Sequence, residues 1–195
     1  MRAFLAVPAD PAWVESAGEF TARMKARLPR AAWTRHESWH LTLRFLGEVT
    51  EEAAARFAEG IGPCACVLSE GAIPSAGPVA FPSPGRARVL AIGFEPEAAE
   101  ATLGAVARAA DDAARSIGCL PEDRPFRPHV TLARLRDPWP PAAVESFYEA
   151  ARAWAFPAWR VRSLVLYRSR LDPAGAVHTP VREWAAAGAS AEARA

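Results

Sequence analysis

Two histidines each stand two residues before a threonine, in His40-Leu41-Thr42-Leu43 and His129-Val130-Thr131-Leu132. With four histidines and seven threonines in 195 residues, composition alone predicts such a triplet about 0.14 times, so a matched pair is a signal rather than an accident. On a strand, residues i and i+2 project to the same side. Each imidazole therefore sits beside a hydroxyl. A hydroxyl donates a hydrogen bond to a phosphate oxygen, and an imidazole takes or gives a proton near neutral pH. Two such pairs facing one cleft suit in-line displacement at phosphorus. One neutral histidine deprotonates water, one protonated histidine protonates the departing oxygen, and Thr42 and Thr131 stabilise charge on the non-bridging oxygens. The residues imply an enzyme that needs no metal and no cofactor.

Other readings are weaker. His36 lies among polar residues, and His178-Thr179 lacks the spacing; both read as non-catalytic. Metal ligation by the histidines lacks the Asp and Glu cluster such hydrolases use. Cys64-Ala65-Cys66 reads as ordinary packing on an extended strand, with no second ligand pair nearby. The three cysteines argue against a disulfide framework. A binding module that holds nucleotides or RNA ends without turnover would not require two titratable groups.

The elements that must position these residues follow from periodicity. Residues 2–7 read as a strand. Asp10 caps a helix over 11–28 with Pro11 at its first position and Val14, Ala17, Phe20, Met24 and Leu28 on one stripe. Over 39–46, Trp39, Leu41, Leu43 and Phe45 alternate with His40, Thr42 and Arg44, predicting a strand with one apolar and one polar face. Thr50 caps a helix over 51–61. Residues 62–86, with five prolines, read as short strands and loop. Then come a strand over 88–94, a helix over 97–117 closed by Gly118, a strand over 129–135, a helix over 141–153, and strands over 159–170 and 177–184. Residues 185–195 are expected to fray as a tail. Each half thus runs strand, long helix, His-x-Thr strand, short helix, strand. Leu5 to His40 spans 35 positions and Leu90 to His129 spans 39, which suggests two lobes related by a pseudo-two-fold axis around one cleft.

Composition bounds the rest. Hydrophobic residues make up 51% of the chain and charged residues 23%, enough for a core and against long disorder. The net charge of +1 is too small for a protein that coats nucleic-acid backbone, so an RNA substrate would be recognised at one end. No apolar run approaches the ~20 residues of a membrane helix and no signal-peptide pattern is present. The expectation is a soluble cytoplasmic monomer with no membrane and no obligate protein partner.

The stretches Trp39-His40-Leu41-Thr42-Leu43-Arg44-Phe45-Leu46-Gly47 and Arg124-Pro125-Phe126-Arg127-Pro128-His129-Val130-Thr131-Leu132-Ala133-Arg134 resemble the two signatures of bacterial RNA 2′,3′-cyclic phosphodiesterases of the two-histidine phosphoesterase superfamily, also called 2′-5′ RNA ligases. Met1-Arg2-Ala3-Phe4, Phe81-Pro82-Ser83-Pro84 and Leu166-Tyr167-Arg168-Ser169 match as well, so the resemblance covers roughly residues 1–184. It implies an α+β fold of two pseudo-symmetric lobes, with antiparallel sheets around a central cleft and helices outside, forming a single domain over 1–184. It implies opening of a 2′,3′-cyclic phosphate to a 2′-phosphate, with reversible 2′-5′ joining of RNA ends. His40 takes the proton-donor role and His129 the acceptor role. Arg134 resembles a family arginine that touches phosphate or base, although strict alternation would turn it away from His129 unless the strand bulges. Phe45 either stacks a base or packs in the core, and alternation favours the core. Arg127 is a basic neighbour of His129 and either a substrate contact or a surface charge. A superfamily enzyme acting on 2′-5′ oligonucleotides or on an ADP-ribose cyclic phosphate would use the same four residues.

Overall fold

The computed structural model describes residues 1–66, 68–122, 125–172 and 175–187. Strand β1 (Arg2–Pro8) leads into helix α1 (Pro11–Arg27), then β2 (Ala32–Trp33), β3 (His40–Glu48) and α2 (Glu51–Cys66). Strands β4 (Gly71–Ile73), β5 (Ser75–Phe81) and β6 (Val89–Phe94) follow, then α3 (Pro96–Ser116), β7 (His129–Arg134) and α4 (Pro141–Arg152). The chain closes with β8 (Trp159–Val161), β9 (Ser163–Asp172) and β10 (Gly175–Ala185).

The helix starts obey local chemistry. The Asp10 carboxylate accepts hydrogen bonds from the Ala12 and Trp13 amides ahead of Pro11, and the Thr50 hydroxyl accepts from Ala53; each satisfies amides that the first helical turn leaves unpaired. Gly118, at φ +90°, ends α3 in the left-handed region that costs glycine little.

Two antiparallel sheets carry the motifs. One has the order β10-β9-β1-β3, the other β2-β7-β6-β5. In each, the first strand of a half (β1, β6) pairs with that half's His-x-Thr strand (β3, β7), so the expected two-lobed α+β architecture is what the chain adopts. Alternation on β1 sends Ala3, Leu5 and Val7 into the main core, where they meet Trp13, Ala17, Phe20 and Met24 of α1. On β6 it sends Leu90, Ile92 and Phe94 the same way, towards Leu103, Val106 and Ala110 of α3. The opposite face of each strand is left for the cleft.

Four local expectations need correcting. Helix α2 runs on to Cys66 with Pro63 inside it, so Cys64-Ala65-Cys66 occupies a last helical turn rather than a strand; Ala65 is fully buried and tertiary packing overrides the proline. The apolar run over 159–170 divides at Arg162: β8 pairs with β4, while β9 joins β1 and β10. Val14, placed on the apolar stripe of α1, is only half-buried, and Trp13 beside it is fully buried. Residues 185–187 are tied down: β10 reaches Ala185, the Ala186 amide donates to Arg162 O at 2.8 Å, and Ala187 bridges to Ser69. The remainder of the expected tail, 188–195, lies outside the described residues. Among the described residues, no helix is long and apolar enough to cross a membrane.

Candidate active site

The two His-x-Thr strands are built alike to the level of single residues. His40 and Thr42 are half-buried and point to the cleft, while Leu41 and Leu43 are buried behind them; His129, Thr131, Val130 and Leu132 repeat this on β7. Across the ladder, Thr42 pairs with Ala6 and Thr131 with Ala91, while His40 pairs with Pro8 and His129 with Gly93. The residue beside each threonine is an alanine, and beside each histidine one with no long side chain. Small neighbours keep the space over both pairs open.

Backbone carbonyls hold both imidazoles. His40 Nδ1 lies 2.8 Å from Ser38 O and His129 Nδ1 lies 2.7 Å from Arg127 O. A carbonyl only accepts, so in the neutral ring Nδ1 carries the proton and Nε2 presents its lone pair. Both histidines have the same tautomer fixed in the same way, by the carbonyl two residues upstream.

Burial pushes the His40 pKa down to about 4, reinforced by the charges of His178, His129 and Arg134, although the Ser38 carbonyl opposes the shift. Burial also lowers His129, again helped by Arg134 and opposed by the Arg127 carbonyl. Arg134 thus acts on both histidines, which places its charge at their shared cleft. Both imidazoles are neutral at pH 7 in the free protein.

A bulge decides where Arg134 and Phe45 go. In β7 the ladder slips at Leu132, so that Ala91 faces Thr131 while Leu90 faces Ala133. In β3 it slips at Leu43, with Ala6 facing Thr42 and Leu5 facing Arg44. An extra residue reverses the alternation beyond it. Arg134 and Phe45, each five residues after its histidine, therefore return to the histidine face. The bulge that Arg134 required is present. The core reading of Phe45 is corrected: its side chain is 54% exposed, and its ring stands 5.8 Å from Phe4 on the cleft side. Arg44, read as a neighbour of His40, is turned to the buried side at 6% exposure.

The Phe4 ring is the hub of an aromatic floor. It lies 4.7 Å from His40, 5.2 Å from Tyr167 and 4.9 Å from His178. His178, set aside on the sequence, stands edge-on to His40 at 5.1 Å, its Nδ1 buried without a hydrogen-bond partner. Burial, with Arg2 and Arg35 nearby, lowers its pKa. No local signal in the sequence marks it; the sheet order and the closure of the β9–β10 hairpin onto Ser38, whose hydroxyl donates to Ala176 O, bring it to His40. His36 stacks on Trp39 at 4.5 Å instead.

On the other side of the cleft Phe81 stands 4.6 Å from His129. A cavity of about 190 Å³ opens there, lined by Val79, Phe81, Arg127, Pro128, His129 and Tyr148 among others. Arg127 is exposed at its rim. Among the described residues, no three His, Cys, Asp or Glu side chains gather as a metal cluster.

Comparison with known proteins agrees with this geometry. The LigT-like phosphoesterase family model matches residues 10–91 and 93–178, one stretch for each half. An RNA 2′,3′-cyclic phosphodiesterase of Geobacillus stearothermophilus is 29% identical over 172 residues, 87% of this chain and 52% of that protein. Another, from Archaeoglobus fulgidus, is 29% identical over 182 residues, covering 93% of this chain and 98% of its own length. The chain therefore spans about half of the first relative and nearly all of the second. Among solved structures, TT0787 of Thermus thermophilus superposes with a TM-score of 0.73 at 26% identity, covering 95% of this chain and 97% of that one. Two pseudo-symmetric sheets, each presenting a His-x-Thr pair on a strand bulged at the same point, belong with these matches: the chain is a member of the LigT-like phosphoesterase family.

Proposed function

We propose that this protein hydrolyses RNA 2′,3′-cyclic phosphate ends to 2′-phosphates by metal-independent acid–base catalysis, with residues 1–184 acting as one bilobal domain. The observation that carries the reading is the matched pair of imidazoles, each with Nδ1 held on a carbonyl and Nε2 left to exchange a proton. The names of the Geobacillus and Archaeoglobus relatives support the same substrate.

In this mechanism the cyclic phosphate lies between the two pairs, with Thr42 and Thr131 donating to its non-bridging oxygens and Arg134 balancing its charge. His129 takes the proton of the attacking water, and His40 gives a proton to the departing 3′ oxygen. His40 is neutral in the free protein, so it must load its proton as the phosphate anion arrives. An anion a few ångströms away favours the imidazolium and offsets the burial that disfavours it. The exposed Phe45 ring serves as a stacking surface for the terminal base, and Arg127 reaches the strand at the cavity rim. With a 5′ hydroxyl in place of water as the nucleophile, and the 3′ oxygen departing as before, the same groups would join RNA ends through a 2′-5′ bond.

The test is a short RNA ending in a 2′,3′-cyclic phosphate, incubated with the protein and EDTA, with the product separated from 2′- and 3′-phosphate standards. Formation of the 2′-phosphate is expected. Loss of turnover in EDTA, restored by added metal, would overturn the metal-free mechanism.

A pH dependence follows from the histidines. Productive protein carries one proton shared by the pair, and both pKa values lie below the ordinary 6.5. Below both, neither histidine accepts; above both, neither donates. The bell-shaped profile of kcat/KM, which reports the free enzyme as macroscopic values of the pair, is therefore expected to peak below pH 6.5. The kcat profile should peak at higher pH, because bound phosphate raises both values. Steady-state kinetics from pH 4 to 9 checks this; coincident maxima above pH 7 would contradict it.

A further inference from the structure

Arg44 is out of place for a strand residue whose neighbours on the same face are leucines. A buried guanidinium is costly unless its charge is met, and here it is met by the other half of the molecule. Nη2 lies 3.3 Å from Asp111 near the end of α3 and Nη1 lies 3.5 Å from Glu122. Nη2 also donates to Leu120 O. The network closes on itself, because Asp111 accepts from the Glu122 amide at 3.1 Å. One residue before Leu120, the Cys119 thiol donates to Leu46 O of β3 at 3.6 Å. The last turns of α3 and the segment behind it, which lead towards β7, are thus fastened to the back of β3.

The pseudo-symmetric position has no such device. Four residues after His129 stands Ala133, fully buried and paired with Trp33. Of the two His-x-Thr strands, the first sends a charge across to the second half, and the second returns none from the matching position. Further along the chain stand Arg127 and Pro128. Arg127 O holds His129 Nδ1, and Pro128 O accepts from the Phe94 amide.

We propose that Arg44 is a positioning residue: by clamping the end of α3 and residues 119–122 to the back of β3, it sets the His129 half of the site in register with the His40 half. The proposal rests on the reading that both histidines act on one phosphate. A residue that only stabilised the fold would affect melting and leave the kinetics of the folded protein alone.

The experiment compares Arg44→Met, Arg44→Lys and Asp111→Asn with Phe20→Leu, a core change in α1 whose ring packs on Phe147, Trp154 and Phe156, chosen to lower Tm to a similar extent. At a temperature well below every Tm, Arg44→Met is expected to lower kcat/KM on the cyclic-phosphate RNA about 30-fold, mainly through KM, because loss of alignment weakens every contact to the phosphate. Arg44→Lys keeps the charge without the fork and should recover part of the loss. Asp111→Asn should lose about 5-fold, and Phe20→Leu less than about 2-fold. Equal losses in Arg44→Met and Phe20→Leu would overturn the proposal.

Inorganic phosphate is then titrated while the imidazole Cε1–H signals of His40 and His129 are followed by NMR. In the wild type both signals should move at one common phosphate concentration, and in Arg44→Met the midpoint should rise about tenfold. An unchanged midpoint overturns the proposal. Should Arg44→Met not fold, Asp111→Asn and Glu122→Gln decide it by the same two readouts. If the wild type turns over no cyclic phosphate, the substrate reading fails, while the phosphate titration still decides the role of Arg44.

Discussion

His129→Ala is expected to lower kcat/KM on a cyclic-phosphate RNA end by about 10²–10⁴-fold, and His40→Ala by a similar factor. Each variant removes one proton transfer, and no neighbouring side chain is held to replace it. His178 stands close to His40, but it packs edge-on with its Nδ1 buried. Groups that act as a unit are not additive, so the double variant should fall little below the worse single one. Both variants should remain folded, because each histidine is only half-buried and its anchoring bond goes to backbone two residues away. Near-wild-type turnover by either variant, measured in EDTA, would remove that histidine from the mechanism.

The second large effect belongs to the threonines. Thr131→Val keeps the branched shape, the strand preference and the pairing with Ala91, and removes only the hydroxyl. Its expected cost is about 10²–10³-fold, carried by kcat, because a donor aimed at the charge that develops on phosphate matters most in the transition state. Thr42→Val should behave alike, since Thr42 occupies the equivalent place opposite Ala6. If these threonines were only strand formers, valine would leave kcat unchanged. Single-turnover kinetics of both variants distinguishes the two cases.

Much of this molecule was legible in the chain. The His-x-Thr pairs, the cap at Asp10, the long helices and the repeated order of elements all rest on interactions between residues close in sequence. Period and capping chemistry record these directly. The repeat then implied two lobes, and the two sheets follow it.

What was not legible depended on pairing partners. Strict alternation placed Phe45 in the core and Arg44 beside His40, and it made Arg134 doubtful. The residues inserted at Leu43 and Leu132 reverse all three, and a bulge is a property of two strands rather than of one. The division of 159–170 between two sheets likewise depended on which strands lay alongside. His178 shows the same limit at longer range: nothing near it in sequence points to His40, and it arrives there because β10 joins β9, β9 joins β1, and the Phe4 ring on β1 packs against both imidazoles. The sequence by itself determined which side chains are the candidates for the chemistry, since residue type and spacing along a strand are local. Tertiary structure decided how deeply each imidazole is buried, which face each neighbour takes and what the cleft places around the two imidazoles, because desolvation and cross-strand register arise only when distant segments pack together.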